Sequence, residues 1–284
     1  MARGRQPTAR TRCGLLILLI SSTVLGRDSL AAQQASAGAD SGRVAKTFFT
    51  RRDALFTGAA IVGTVAISRF DERIARWSQS PNVQGDSSRH DLVDALTHVN
   101  ETPLTIAAIL TYGIGRIGSW NSVTDIGLHL TEAMVLTDVT SEVIRGPVGR
   151  ARPRIADNDA FKFEFGKGFT NFGNRAFPSL HSAAAFAMAA GLTAEIHERN
   201  PGAAWIAGPL LYGAALVPGM TRIYLNQHWA SDIASGAFVG TLYGVKVVHY
   251  AHTHHRSKLD RILMGTVIVP DGNGRVLVGG SIAR

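Results

Sequence analysis

Three short clusters in the second half of the chain hold residue types that could do chemistry together. In the first, Arg145 and Arg152 are separated by six residues and Pro153 follows. The second is Pro178-Ser179-Leu180-His181. In the third, Thr221-Arg222 leads after five residues to His228 and after three more to Asp232. This set matches what attack on a phosphate ester by a histidine requires. Guanidiniums hold phosphoryl oxygens through paired N–H groups. One imidazole attacks, a second protonates the leaving oxygen, and a carboxylate orients the nucleophile. His228 and Asp232 are four residues apart and would share one face of a helix. The carboxylate could then fix the ring tautomer and leave the other nitrogen free. Ser179 stands where a helix N-cap belongs, ahead of the run from Ala183 to Ala190. The free amides at such a helix start bind phosphate oxygens. Each cluster alone also has a plain structural reading. The His and Asp can be an ordinary helix pair, the serine only a cap, and Arg145, Arg150, Arg152 and Arg154 a solvated basic loop.

Taken in order, the clusters resemble the three-part signature of the phosphatidic acid phosphatase type 2 and vanadium haloperoxidase superfamily, over roughly residues 90 to 250. That pattern is Lys-x6-Arg-Pro, Pro-Ser-Gly-His, then Ser-Arg-x5-His-x3-Asp. The resemblance implies an all-α helical bundle with the site at one end of its core helices. It makes His228 the nucleophile that becomes a phosphohistidine, Asp232 its orienting carboxylate and His181 the general acid. It assigns phosphate binding to Arg145, Arg152, Ser179, Leu180 and Arg222. Three positions depart from the pattern. Arg145 replaces lysine, keeping the charge but adding a planar fork. Leu180 replaces glycine and must keep its backbone out of positive φ. Thr221 replaces serine and retains a hydroxyl.

The elements that must position these residues read mostly as helices. The chain has 284 residues, 45% hydrophobic and 18% charged, with thirty glycines and a formal net charge of +8. Low charge and abundant glycine suit tightly packed helices. Arg3, Arg5, Arg10 and Arg12 precede an apolar run from Cys13 to Gly26, which reads as a secretory signal peptide over residues 1–32. An uncleaved anchor is the other reading of that run. The sole cysteine, Cys13, lies within it, so the mature chain would hold no disulfide. A flexible leader is expected over 33–45, a helical phosphatase domain over 46–260 and a tail over 261–284. Helices are expected over 54–68, 91–99, 103–115, 123–144, 182–195, 203–217 and 232–249. Gly146-Pro147 should stop the fourth of these. Residues 146–178 read as a long irregular loop, a length usually functional or disordered. The tail reads as a β-hairpin turning at Asp271-Gly272-Asn273-Gly274.

Residues 201–221 carry no charge and could span a bilayer, although Pro201, Pro209 and Pro218 weaken that reading. Helices apolar all round also form the centre of soluble bundles. A soluble or peripheral bundle is favoured over a multi-span one, and the superfamily includes both. His249, His252, His254 and His255 have spacing that could chelate a metal, but histidines at a helix C-terminus favour the helix dipole, and no metal or other cofactor is implied. There is no Walker-type loop, and the basic residues lack the interleaved aromatics of a nucleic-acid groove. The expectation is therefore an exported, metal-independent phosphatase, periplasmic or in the cell envelope. Its substrate would be a phosphorylated small molecule or a lipid phosphate or diphosphate, with membrane association and oligomeric state open. An integral inner-membrane form, a vanadate-dependent haloperoxidase and a non-catalytic phosphate- or lipid-binding relative are the alternatives.

Overall fold

The computed structural model describes residues 48–254 and the backbone of strands Thr266–Pro270 and Val276–Gly280. The expected signal peptide, the leader and the turn of the tail hairpin lie outside the described residues. The helices are α1 (Arg51–Ser68), α2 (Asp71–Ser78), α3 (Pro81–Gln84), α4 (Ser87–Leu96), α5 (Glu101–Ile117), α6 (Asn121–Val148), α7 (Leu180–Arg199), α8 (Pro201–Tyr224) and α9 (Ala230–Thr253). Strands β1 (Thr266–Pro270) and β2 (Val276–Gly280) pair antiparallel, Thr266 opposite Gly280.

Local chemistry sets the helix ends. Thr50 and Asp53 form a reciprocal capping box at the start of α1. Asn100 caps α5 by accepting from the Thr102 amide. Asn200 ends α7 and at the same time caps α8, with Pro201 in the first turn, so the chain reverses on one residue. Two helices run further than the sequence suggests. α6 continues through Gly146-Pro147, because a proline this near the C-terminus removes only the bond to the Val143 carbonyl. It stops at Gly149, which is left-handed (φ 59), and a Cβ there would lie 1.9 Å from the Glu164 carbonyl oxygen. α8 likewise passes through Pro209 and Pro218 without ending. The segment between α6 and α7 is irregular, as expected. It holds 3-10 turns at Pro153–Ile155, Lys167–Phe169 and Phe172–Asn174 and a bridge between Arg150 and Phe163.

The core is built from small side chains. α7 and α9 meet along Gly236, Gly240 and Gly244, one turn apart. A Cβ at these positions would fall 2.3 Å from the Ser179 carbonyl oxygen, 2.0 Å from that of Ala183 and 2.6 Å from that of Ala187. Backbones that close are possible only without side chains between them. Ala183, Ala184, Ala187 and Ala190 complete the interior.

Large apolar side chains are outside instead. Leu55, Phe56, Ile61, Val62 and Val65 of α1 are exposed, and no residue of α1 is buried. Ile106, Leu110 and Ile114 of α5, Val139 and Val143 of α6, and Trp205, Ile206 and Leu210 of α8 are exposed as well. Among the described residues, α8 is long and apolar enough to cross a membrane by itself. α1 and α2 pass the same test as a pair bent by 54°.

The α7–α9 contact makes a stability prediction. Gly240→Ala should destabilise the purified protein by about 1–3 kcal/mol through overpacking, seen as a lower Tm. Gly58→Ala in α1, where a Cβ meets nothing within 4 Å, should leave Tm unchanged or raise it by restoring helix propensity. Equal effects at both glycines would refute close packing as the cause.

Candidate active site

The three clusters arrive at one end of the bundle because each lies at a helix terminus. Arg145 ends α6, Ser179 and His181 open α7, Arg222 ends α8, and His228 and Asp232 open α9. The irregular segment after α6 adds Arg150, Arg152, Arg175 and Ala176.

Ser179 is the N-cap of α7, its hydroxyl accepting from the Ser182 amide, and its own amide donates to the Asp232 carbonyl at 3.0 Å. That bond locks the first turn of α7 against the first turn of α9. Leu180 opens the helix, and its amide and that of His181 have no partner within it.

His228 is 2% exposed. Its Nδ1–H donates to the Ala176 carbonyl at 2.8 Å, while Oδ2 of Asp232 stands 3.6 Å from the same nitrogen. The hydrogen bond that selects the tautomer is therefore to backbone, where the sequence suggested the carboxylate. Asp232 acts on the ring as a near charge. Nε2 is left buried with no hydrogen-bond partner. Burial holds the His228 imidazole below its ordinary pKa, and Arg152 and Arg145 push the same way, against the opposing pull of Asp232. The ring is neutral near pH 7 and its Nε2 lone pair is available.

Asp232 is itself held by Arg150. Arg150 Nη1 donates to Asp232 Oδ1 at 2.6 Å and to the Ser231 hydroxyl at 2.8 Å, and Nη2 donates to Asp71 Oδ2 at 2.8 Å. Nε and Nη2 also donate to the Ala160 carbonyl. The Trp229 amide donates to Asp232 Oδ2 and the Ser231 amide to Asp71 Oδ1. Asp71, Arg150 and Asp232 are all buried.

His181 faces His228, with ring centroids 6.4 Å apart. Its Nδ1 is buried without a partner and its Nε2 is 3.5 Å from Oε2 of Glu101. The Nε atoms of Arg152, Arg175 and Arg222 are also buried and unpartnered. Arg152 donates to Gln227 Oε1 at 2.6 Å and lies over the Phe172 ring, 4.1 Å from its centroid. Burial, then the positive charges of Arg145, Arg154 and Arg222, push the Arg152 guanidinium down to about 10. Such crowding of cations favours an anion. Arg145 is oriented differently from its expected cradle role. Its fork donates to the Arg175 carbonyl at 3.1 and 2.8 Å and to Glu142 Oε1 at 3.0 Å.

All eight residues named from the sequence gather here. Arg150, Asp71, Ser231, Glu101, Arg175 and Gln227 were missed as site residues. Arg150 carried a signal, as one more arginine between Arg145 and Arg152 than the pattern needs. Asp71 and Glu101 carried none.

A family model described as the PAP2 superfamily matches residues 126–256. A Lipid A 1-phosphatase from Porphyromonas gingivalis is 44% identical over 70 residues, which span 24% of this chain and 14% of that protein. Among solved structures, a transmembrane PAP2 type phosphatidylglycerolphosphate phosphatase from Bacillus subtilis matches with a TM-score of 0.52 and 18% identity. The match covers 72% of this chain and 97% of that one, a likeness of fold.

Removing Arg150 should be costly. Arg150→Met would leave two carboxylates buried beside each other without their cation, and loss of one partner of a buried pair costs about 3–5 kcal/mol. Thermal unfolding of Arg150→Met against Arg154→Met measures this, and comparable Tm values for the two variants would refute it.

Proposed function

Residues 126–256 match the PAP2 superfamily model, and from that likeness we propose that the protein is a membrane-embedded phosphatase that hydrolyses a lipid phosphate through a covalent phosphohistidine on His228. The observation that carries this reading is the set of unpartnered buried nitrogens, Nε2 of His228, Nδ1 of His181 and Nε of Arg152 and Arg222. Buried polar atoms are ordinarily paired; phosphoryl oxygens would accept from the N–H groups, and the phosphorus would face the His228 Nε2 lone pair.

In the proposed reaction His228 Nε2 attacks phosphorus in line with the leaving oxygen. The phosphorus–nitrogen bond forms as the ester bond breaks, and His181 transfers its proton to the departing oxygen. The imidazole then carries positive charge, which the Asp232 carboxylate stabilises. Arg145, Arg152 and Arg222, with the Leu180 and His181 amides at the start of α7, hold the equatorial oxygens and stabilise the charge of the transition state. Ser179 supports that helix start as its cap, and Arg145 also fixes Arg175. A water deprotonated by His181 then attacks phosphorus, releasing inorganic phosphate and restoring His228. Burial, then the charges of Arg222, His228, Arg145 and Arg152, hold the His181 imidazole well below its ordinary pKa, so the protonated form that the first step needs depends on the charge of the bound phosphate anion.

The membrane part of the proposal rests on the exterior. Contiguous exposed apolar surface on this scale marks a lipid or partner interface, and α8 is long enough to cross. The sequence favoured a soluble or peripheral bundle, and the outward Leu, Ile, Val and Trp side chains support the multi-span alternative. In a bilayer the site would stand at one membrane face, at headgroup depth, which suits a lipid phosphate. The Porphyromonas relative acts on a lipid phosphate by its name, and the Bacillus fold relative is described as transmembrane.

His228→Ala should abolish release of phosphate from lipid phosphates in mixed micelles and trapping of labelled phosphoenzyme. Substantial residual turnover would sink the nucleophile assignment. Because the His228 pKa is lowered, its neutral form persists into mild acid. The acid limb of kcat/KM assigned to this ring should fall below about pH 6.5, the ordinary value, and a limb well above it would contradict the neutral nucleophile.

His181→Ala should slow an alkyl phosphate about 10²–10⁴-fold and a nitrophenyl phosphate far less, since that leaving group needs little protonation. Equal losses on both esters would make His181 a binding residue and not the acid.

A further inference from the structure

The opposite end of the bundle holds a second cluster of chemically capable side chains, far from the proposed phosphate site. His129 of α6, Glu195 of α7 and His252 of α9 converge, and their ligand atoms all lie within 4.8 Å of one another. His129 and Glu195 are buried and His252 is half-buried. His129 Nδ1 meets Glu195 Oε1, and His252 Nε2 is 3.2 Å from Glu195 Oε2. Arg199 donates to Glu195 from one turn further along α7. Asp125, one turn before His129 on α6, lies within electrostatic range of His129, Glu195 and His252. Its Oδ1 is buried and has no hydrogen-bond donor.

We propose that His129, Glu195 and His252 form a structural site for a zinc-class divalent cation, with Asp125 as a neighbouring carboxylate that adds negative charge. Two imidazoles with a carboxylate select a borderline metal such as zinc, whereas calcium and magnesium prefer oxygen alone. The cation's charge would also balance the buried Asp125 carboxylate beside the cluster. Arg199 would orient Glu195 from behind, as a support for a ligand carboxylate commonly does. Glu195 lies about 20 Å along α7 from His181 at 1.5 Å per residue, so the site has no part in the reaction. It fastens α6, α7 and α9 at the end where they lack the buried arginine of the active site.

The histidines at the end of α9 divide between different surroundings. Among the described residues, His252 is the one that turns into this cluster. His249 lines a groove with Trp205 and Tyr212, and His254 stacks on Tyr250 with centroids 4.1 Å apart. His255 lies outside the described residues.

The test uses full-length protein purified in detergent and stripped with a chelator. Titration with Co²⁺ should produce visible ligand-field bands saturating near one equivalent, and Zn²⁺ should displace them and raise Tm. His129→Ala and His252→Ala should each weaken binding at least tenfold and lose the Tm response. Initial rates of phosphate release well below Tm should stay at the wild-type level. A His249→Ala, His254→Ala double variant should bind metal as wild type does. If a cluster variant fails to fold, the wild-type stoichiometry alone decides. Stripped wild type that takes up neither Co²⁺ nor Zn²⁺ overturns the proposal, as does undiminished binding by folded His129→Ala and His252→Ala.

Discussion

The buried contact of Arg150 with Asp71 and Asp232 is the constraint on which the active end depends. One guanidinium serves carboxylates from α2 and α9, and its own backbone lies in the segment after α6. Two anions around one cation leave a net negative charge in the interior. The amides of Trp229 and Ser231, and the Ser231 hydroxyl that donates to Asp71 Oδ2, disperse it. The indole of Trp229 lies against the guanidinium, 5.5 Å to the ring, and donates its own N–H to the Ala151 carbonyl. Water is excluded from the triad, so its field acts on the His228 ring with little screening. Position and electrostatics at His228 thus come from the same residues.

The remaining fold follows from an inverted distribution of side-chain size. Alanine and glycine fill the interior, where Gly236, Gly240 and Gly244 let α9 contact the α7 backbone. Leucine, isoleucine, valine and tryptophan face outward. In water this would forfeit much of the hydrophobic stabilisation. In lipid the outer side chains lose nothing by exposure, and close backbone packing supplies the cohesion. A rigid small-residue core also keeps the helix termini, and therefore the two facing histidines, at fixed separation.

Much of this was legible in the sequence, and the part that was not has physical reasons. His228, Asp232, Ser179 and His181 announce themselves because a helix turn or cap relates them locally. The seven helical segments were visible from apolar runs, but α6 outlasts Pro147 because a proline in the final turn breaks only one bond. Asp71 and Glu101 were hidden because their partners are remote in sequence, and Arg150, visible only as one arginine too many, looks solvated until its neighbours are known. The tautomer-selecting bond was invisible because its acceptor, the Ala176 carbonyl, is backbone that any residue would supply. His129 and Glu195 were passed over for the same reason as Asp71, since only folding brings them to His252.

The single-residue reversal at Asn200 turns helix length into a ruler. From His181 to Asn200 the chain travels about 29 Å away from the active end, and from Pro201 to Arg222 it returns about 32 Å. With no loop to absorb slack, the two arms must nearly match for Arg222 to come back level with His181. One residue added to either arm would shift the arginine by about 1.5 Å and swing it by roughly 100° around its axis. The arms are also close to the thickness of a bilayer's hydrocarbon layer, about 30 Å. The count of residues in two helices thus sets the height of Arg222 relative to His181.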